Sequence, residues 1–349
     1  MAAGFPVKAN YATGDVLSAA NMNDLSGSVN LLQSAQYAAG KNKIINGDFG
    51  IWQRGTSVSA TNTYAYISDR WQSLCDGAIT GARTAFTPGT APVAGYEGAY
   101  YLRYTKTSGT YWQIQQYIEQ VQTLAGQTAT ISFWAKVDSA KTIFVQLSQN
   151  FGSGGSTTVT TSAGTQALTT SWARYSFTVA VPSVSGKTIG TSSSLSLEIG
   201  IAATTGNITF DIWGVQVEAS STASSFQTAT GTIQGELAAC QRYYVRIGDS
   251  SGASNQRLAR GSANATTGIQ LTATLPVQLR TGASSTIDYA NLQWYNGLGG
   301  VGAISAVTMS ATSTTNPAIA ATTTGAVTGT FYELLTTSTA GYIGFSAEF

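Results

Sequence analysis

The run TISFWAKV, Thr130 to Val137, sets Ile131, Phe133, Ala135 and Val137 on one side of an extended chain and Thr130, Ser132, Trp134 and Lys136 on the other. Strict alternation of this kind belongs to a strand with one face buried. The pattern returns at Ile143, Val145 and Leu147, at Tyr175, Phe177, Val179 and Val181, and at Leu195, Leu197, Ile199 and Ile201. It returns again in ITFDIWGVQVE, Ile208 to Glu218. Gly, Ser and Thr turns separate these runs and no helical stretch interrupts them, so the sequence predicts antiparallel strands folded as a sandwich or jelly roll. Two Ser/Thr tracts, near 153–170 and 310–330, predict loops or edge hairpins.

Outward from this block the character changes on both sides. Before residue 41, Met22, Leu25, Val29 and Leu32 recur at steps of three, four and three, the spacing of an apolar seam on one side of a helix. The seam is short and contains Gly27, so the helix needs a partner. Either it packs on its own domain or it joins an oligomeric bundle, most readily of three chains. After the Ser/Thr-rich bridge at 219–230, GELAACQRYYVRIG predicts one helical turn leading into a strand at Tyr243 to Ile247. Further strands are expected at Ile269 to Leu275, in IDYANLQWY, in TFYELL and in YIGFSAEF. The expected organisation is a helical attachment segment at 1–40, a jelly-roll sandwich at 41–228 and a second β sandwich at 229–349. The fold class is therefore mainly β.

Composition narrows the function. Among 349 residues, charged side chains make up 9%, against about 25% in ordinary soluble proteins. Lys plus Arg number 17 and Asp plus Glu 16, so there is no basic excess with which to neutralise a phosphate backbone, and no nucleic-acid partner is expected. No apolar run reaches the ~18 residues of a membrane span, and MAAGFPVKANYATG has no signal-peptide pattern, so neither membrane insertion nor export is expected. The histidine count is 0, which excludes the usual Ser or Cys triads. Cys75 and Cys240 are too few for a disulfide scaffold and are read as free, buried thiols. From Tyr289 onward the only charges are Glu333 and Glu348; a surface so poor in charge is better explained by contact with sister chains than by exposure to water.

Three strings carry a resemblance. NKIINGDFGIWQRGTSVS followed by YISDRW, Asn42 to Trp71, resembles the opening of a domain common in structural proteins of tailed bacteriophages. FDIWGVQVEASSTASSFQ and then ELAACQRYY are similar to the close of that domain and its junction with the next, and YATGDVLSAANMNDLSGSV is similar to leader segments of phage fibre and appendage proteins. The resemblance implies a virion structural protein assembled in the host cytoplasm. It implies a homotrimeric tail fibre or appendage, tied to other virion proteins through its N-terminal segment and able to adhere to host surface polysaccharide. Tail fibres, head fibres and baseplate appendages share these modules, so a head fibre or capsid decoration protein with a purely structural role stays open, as does a polysaccharide depolymerase. The middle block is also similar to carbohydrate-binding jelly rolls, in which a calcium can sit near the first strand. Asp48 and Asp211 are the nearby carboxylates, too few for a cation that takes six to eight oxygens, so no metal or cofactor is expected.

Bond cleavage and adhesion ask for different residues. A glycosidase needs two carboxyl groups roughly 5 to 9 Å apart. Asp211 and Glu218 share a strand, but their separation of seven sends them to opposite faces. Asp69, Arg70 and Arg54 are read as an ion pair and loop anchor, and no enzymatic activity is expected. Sugar binding needs flat aromatic faces flanked by amides and acids. Trp71 and Trp213 are read as core, the latter on one face with Val215 and Val217. Tyr64, Tyr66 and Tyr96, in Gly-, Thr- or Asn-rich surroundings, and Trp294 and Tyr295, before a Gly-rich turn, are the candidate glycan platforms.

Overall fold

The computed structural model describes residues 39–93, 98–202, 206–248, 254–282 and 287–349, with Asn23 besides. The apolar seam at Met22, Leu25, Val29 and Leu32, and Tyr96, lie outside the described residues. Numbered along the chain, one six-stranded sheet runs β1 (Ser57–Thr61), β4 (Ala78–Ala85), β5 (Tyr100–Lys106), β12 (Ile208–Ala219), β7 (Thr128–Val137), β10 (Ala173–Ala180). A second runs β2 (Tyr64–Ser68), β3 (Trp71–Cys75), β6 (Trp112–Glu119), β11 (Ser194–Ile201), β8 (Lys141–Asn150), β9 (Val159–Leu168). The pairings within both are antiparallel, and their order jumps repeatedly across the sequence, as in a jelly roll. The alternating residues meet between the sheets: Ile131, Phe133, Val145, Leu147, Leu197, Ile199 and Phe210 are at most 1% exposed and share one core. The tract at 153–170 contributes β9, an edge strand in a hairpin with β8.

The long strand β12 departs from strict alternation. Its register against β7 shifts between Trp213 and Gln216, and Gly214 there has φ +66°. One extra residue in a strand reverses which side faces the core. Ile208, Phe210 and Ile212 face inward before the bulge, and Val215 and Val217 after it. Trp213 is fully buried, but on the opposite face from Val215 and Val217, in a separate aromatic cluster with Tyr101, Trp134 and Phe226. The same reversal corrects the expectation for Asp211 and Glu218: they share the outer face. At about 3.3 Å per residue they still stand roughly 20 Å apart along the strand, too far for a hydrolytic pair.

The opening string builds a turn that the fold depends on. Asn46 sits at φ +56°, and its side chain bonds the Ile51 N–H and the carbonyls of Ile51 and Asp69. Its carbonyl accepts the indole N–H of the fully buried Trp71. At Gly47 a β-carbon would lie 2.2 Å from the Val215 carbonyl oxygen, so no larger residue fits beside the β12 bulge.

Helix α1 (Ile233–Gln241) links the two bodies and is longer than the single turn expected. Thr232 caps it by accepting the Gly235 N–H, and the buried Glu236 accepts the N–H groups of Asn46 and Thr230. Beyond it, a three-stranded sheet β13 (Tyr244–Ile247), β22 (Tyr342–Ser346), β16 (Ile287–Ala290) packs on a seven-stranded one. The latter runs β18 (Val301–Ala303), β17 (Leu292–Tyr295), β21 (Phe331–Thr336), β14 (Arg257–Ala265), β15 (Gly268–Thr272), β20 (Ala318–Thr322), β19 (Ala306–Ala311). Val245, Ile343 and Phe345 from the small sheet and Leu271, Trp294, Ile319 and Leu334 from the large one form a second core. The mainly β fold class read from the sequence is the one observed.

The bodies meet through ionic and aromatic contacts. Arg70, 1% exposed, pairs with Glu348 and lies 3.3 Å from the Tyr243 ring centroid, and Arg54 approaches the same Glu348 at 3.4 Å. This corrects the expected partner of Arg70. Asp69 instead accepts the backbone and side-chain N–H groups of Gln53, at 2.6 and 2.7 Å.

Candidate functional site

Register fixes which side chains share the outer face of the second sheet. Tyr66, Gln72, Gln115, Glu198 and Gln146 stand in one row across β2, β3, β6, β11 and β8. Beside it runs Tyr64, Leu74, Gln113, Gly200 and Phe144; on the other side run Tyr117, Ser196, Ser148 and Thr160. At a strand spacing of about 4.8 Å the first row spans roughly 19 Å, enough for several linked sugar rings. Gly200 adds no side chain, so the floor between Gln113 and Phe144 is bare backbone.

The polar groups of this face are bonded to one another. Tyr111 donates to Gln113, Gln113 Nε2 donates to Gln115 Oε1 at 2.6 Å, and Gln115 Nε2 donates to Gln72 Oε1 at 2.6 Å and to the Tyr117 hydroxyl at 2.8 Å. Glu198 accepts from Gln146 at 2.6 Å and from Ser196 at 2.9 Å. Gln72, Gln113 and Gln115 are nearly buried, so their amides are held in place before any ligand arrives. Tyr64, by contrast, is 59% exposed. Burial, with Glu198 and Tyr64 nearby, pushes the Tyr111 phenol up to about 12 and raises that of Tyr117, so both stay protonated and can donate as well as accept. One end of the face abuts the second body, where the Phe349 ring lies 5.3 Å from that of Tyr117.

The sequence-predicted residues fall in different surroundings. Tyr64 and Tyr66 come together on β2, Tyr64 open to solvent and Tyr66 half-buried with Arg54 5.0 Å from its ring centroid. Trp294 is a core residue: 9% exposed, it packs edge-on against Tyr332 and its indole N–H donates to Thr323 at 2.6 Å. A ring so enclosed offers no face to a sugar. Its neighbour Tyr295 is half-buried on the outer side of the seven-stranded sheet, away from the Tyr64 face. The Gln ladder and Glu198 were not singled out in sequence, although Gln113, Gln115 and Tyr117 alternate on one side of β6. The nominated calcium ligands have other partners: Asp211 is held bidentately by Arg103 at 2.8 and 2.9 Å with Lys136 at 3.6 Å, and Asp48 accepts the Gly50 N–H. Among the described residues no group of three acidic or cysteine side chains converges on a point.

The family model of a carbohydrate binding domain matches residues 81–199, which include β6, β8 and nearly all of β11, with Gln113, Gln115, Tyr117, Phe144, Gln146 and Glu198. No curated protein matches the chain. Among solved structures, a CBM4 domain is 21% identical over 50% of this chain and 98% of its own, with a TM-score of 0.29. The CBM22-2 xylan-binding domain of Xyn10C from Paenibacillus barcinonensis is 16% identical over 50% and 97%, with a TM-score of 0.30. The enzymatically active domain of tailspike protein 4 from bacteriophage CBA120 is 14% identical over 51% and 21%, with a TM-score of 0.33.

Proposed function

We propose that the outer face of the second sheet binds a neutral polysaccharide chain. The observation that carries this reading is an exposed tyrosine, Tyr64, beside pre-bonded glutamine amides, tyrosine hydroxyls and one carboxylate. A pyranose ring offers an apolar face for the tyrosine and hydroxyls for the amides. Glu198 accepts hydroxyl hydrogens but repels anionic sugars, and the register places no cation in its row, so uncharged chains fit best. The family-model match over 81–199 supports the same ligand class. The test is a glycan array followed by calorimetry on wild type and Tyr64→Ala. Binding to a neutral polysaccharide, weakened about tenfold or more in the variant, is the expected result, a loss of at least about 1.4 kcal/mol. Silence toward every neutral polysaccharide on the array overturns it.

The setting we propose for this face is a homotrimeric phage tail fibre or appendage divided at 1–40, 41–228 and 229–349, with the N-terminal segment joining it to other virion proteins. The support is the three resembling strings and the scarcity of charge, which suits a surface shared between copies. Tethered copies would multiply weak sugar contacts by avidity. Light scattering of the full chain and of a variant lacking residues 1–40 is the check: three copies and then fewer is expected, and a monomer in both ends the trimer proposal.

A further inference from the structure

The seven strands of the large second-body sheet carry three charged residues, Arg257, Arg260 and Glu333, and all three meet. Arg257 Nε donates to Glu333 at 2.6 Å and Arg260 Nε lies 3.3 Å from its other oxygen. Register puts Val301, Tyr295, Glu333, Arg260 and Thr272 in a single row on the outer face, with Phe331 two residues along β21 from Glu333. Glu333 is 10% exposed, whereas the two arginine side chains are 56% and 66% exposed. Phe331 and Val301 are also open, at 51% and 57%.

Stability accounts for one partner and not for two: the enclosed Glu333 needs a single compensating cation, and a second arginine on the same carboxylate leaves an unbalanced positive charge at the surface. A guanidinium has five N–H donors in a planar fork; each arginine meets Glu333 through Nε, which leaves its terminal nitrogens for a further acceptor. The fork matches a carboxylate bidentately. Beside it the Tyr295 ring supplies an apolar surface of the kind a sugar ring stacks on. This sheet lies outside the residues matched by the carbohydrate-binding family model.

We propose that Arg257 and Arg260, bridged by Glu333 beside Tyr295, form a second site that takes the carboxylate of an acidic sugar. Its chemistry complements the Tyr64 face, whose central row carries one carboxylate, Glu198, and no cation, and which therefore favours neutral chains. The site does not rest on that face, and the two fail independently.

The experiment is calorimetry at low salt with oligogalacturonate and sialyl-oligosaccharide, each beside its carboxyl-reduced counterpart. At least one acidic form should bind at least tenfold more tightly than its reduced form, and the difference should shrink as salt is raised. Arg257→Ala/Arg260→Ala should abolish this binding while leaving neutral-glycan binding, measured below the variant's melting temperature, unchanged; Tyr64→Ala should leave it intact. Glu333→Gln, which releases both arginines from their internal partner, should tighten it several-fold, a gain that a merely structural role would not produce. Equal binding of reduced and acidic chains, wild-type affinity in the double arginine variant, or no gain from Glu333→Gln each overturns the proposal. So does binding a single-stranded oligonucleotide through these arginines more tightly than either acidic glycan.

Discussion

Two carboxyl groups in the first body respond to the fold in opposite directions. Asp69 is buried, which pushes it up to about 6 despite Arg54 nearby and the two bonds from Gln53. Asp76 is held down at about 2 by the N–H groups of Tyr111 and Thr110 and the Thr110 hydroxyl. Between the ordinary value and about 6, the folded chain keeps a proton on Asp69 that the unfolded chain has released, so stability falls as pH rises through that window. For Asp76 the sign is reversed: its contribution is present above the ordinary value and is lost as pH falls toward about 2. Asp69→Asn removes the first effect and leaves the second. Subtracting the melting temperature of Asp69→Asn from that of wild type at each pH should give a difference that declines from pH 4 to pH 6 and then levels. A flat difference would mean that Asp69 titrates as if exposed.

At the scale of the element, the bulge in β12 decides what the sandwich presents on each side. Gly214 takes a left-handed φ, and a β-carbon there would lie 2.7 Å from the Trp134 ring, a side chain locked against Trp213 and Phe226. Gly214→Ala therefore combines a left-handed penalty of about 1–2 kcal/mol with overpacking of about 1–3 kcal/mol. Denaturant unfolding should show a loss of roughly 2–5 kcal/mol with an unchanged slope. A loss below about 0.5 kcal/mol would show that the strand can realign without the bulge. Alternation at 131–137, 143–147 and 195–201 was readable because each residue's face follows from its parity. Gly214 inside the β12 pattern is a bulge signal, but a glycine there can equally mark a close backbone approach, so parity alone sets Trp213 with Val215 and parts Asp211 from Glu218. The site was half legible for a related reason. Tyr64 stands among small polar neighbours that cannot cover it, whereas the Gln ladder draws on β3, β6 and β8, whose adjacency is set by sheet topology rather than by sequence.

For the whole molecule, the most deeply buried of the ion pairs that cross between the bodies is Arg70–Glu348. Glu348 follows β22 of the second body and is 4% exposed, yet its partners Arg70 and Arg54 belong to the first. Arg70 also donates to the Tyr117 carbonyl and lies against Tyr243, while its Nε is buried without a partner, so the guanidinium relies on Glu348 for its compensating charge. Removing one partner of such a pair leaves an uncompensated buried charge and costs about 3–5 kcal/mol. Glu348→Gln should therefore destabilise strongly, and replacing both Arg70 and Glu348 by methionine should recover much of the loss. Because the pair joins the two bodies, calorimetry should show one cooperative transition in wild type that broadens or splits in Glu348→Gln, with the second body melting first. Phe349, beside Tyr117 and 4.0 Å from the Arg280 guanidinium, carries the effect to the glycan face. Once Glu348 is loosened, Tyr117 loses its aromatic neighbour, and neutral-glycan affinity should fall a few-fold even below the melting temperature. Unaltered affinity together with a split transition would show that the junction holds the bodies together without shaping the face.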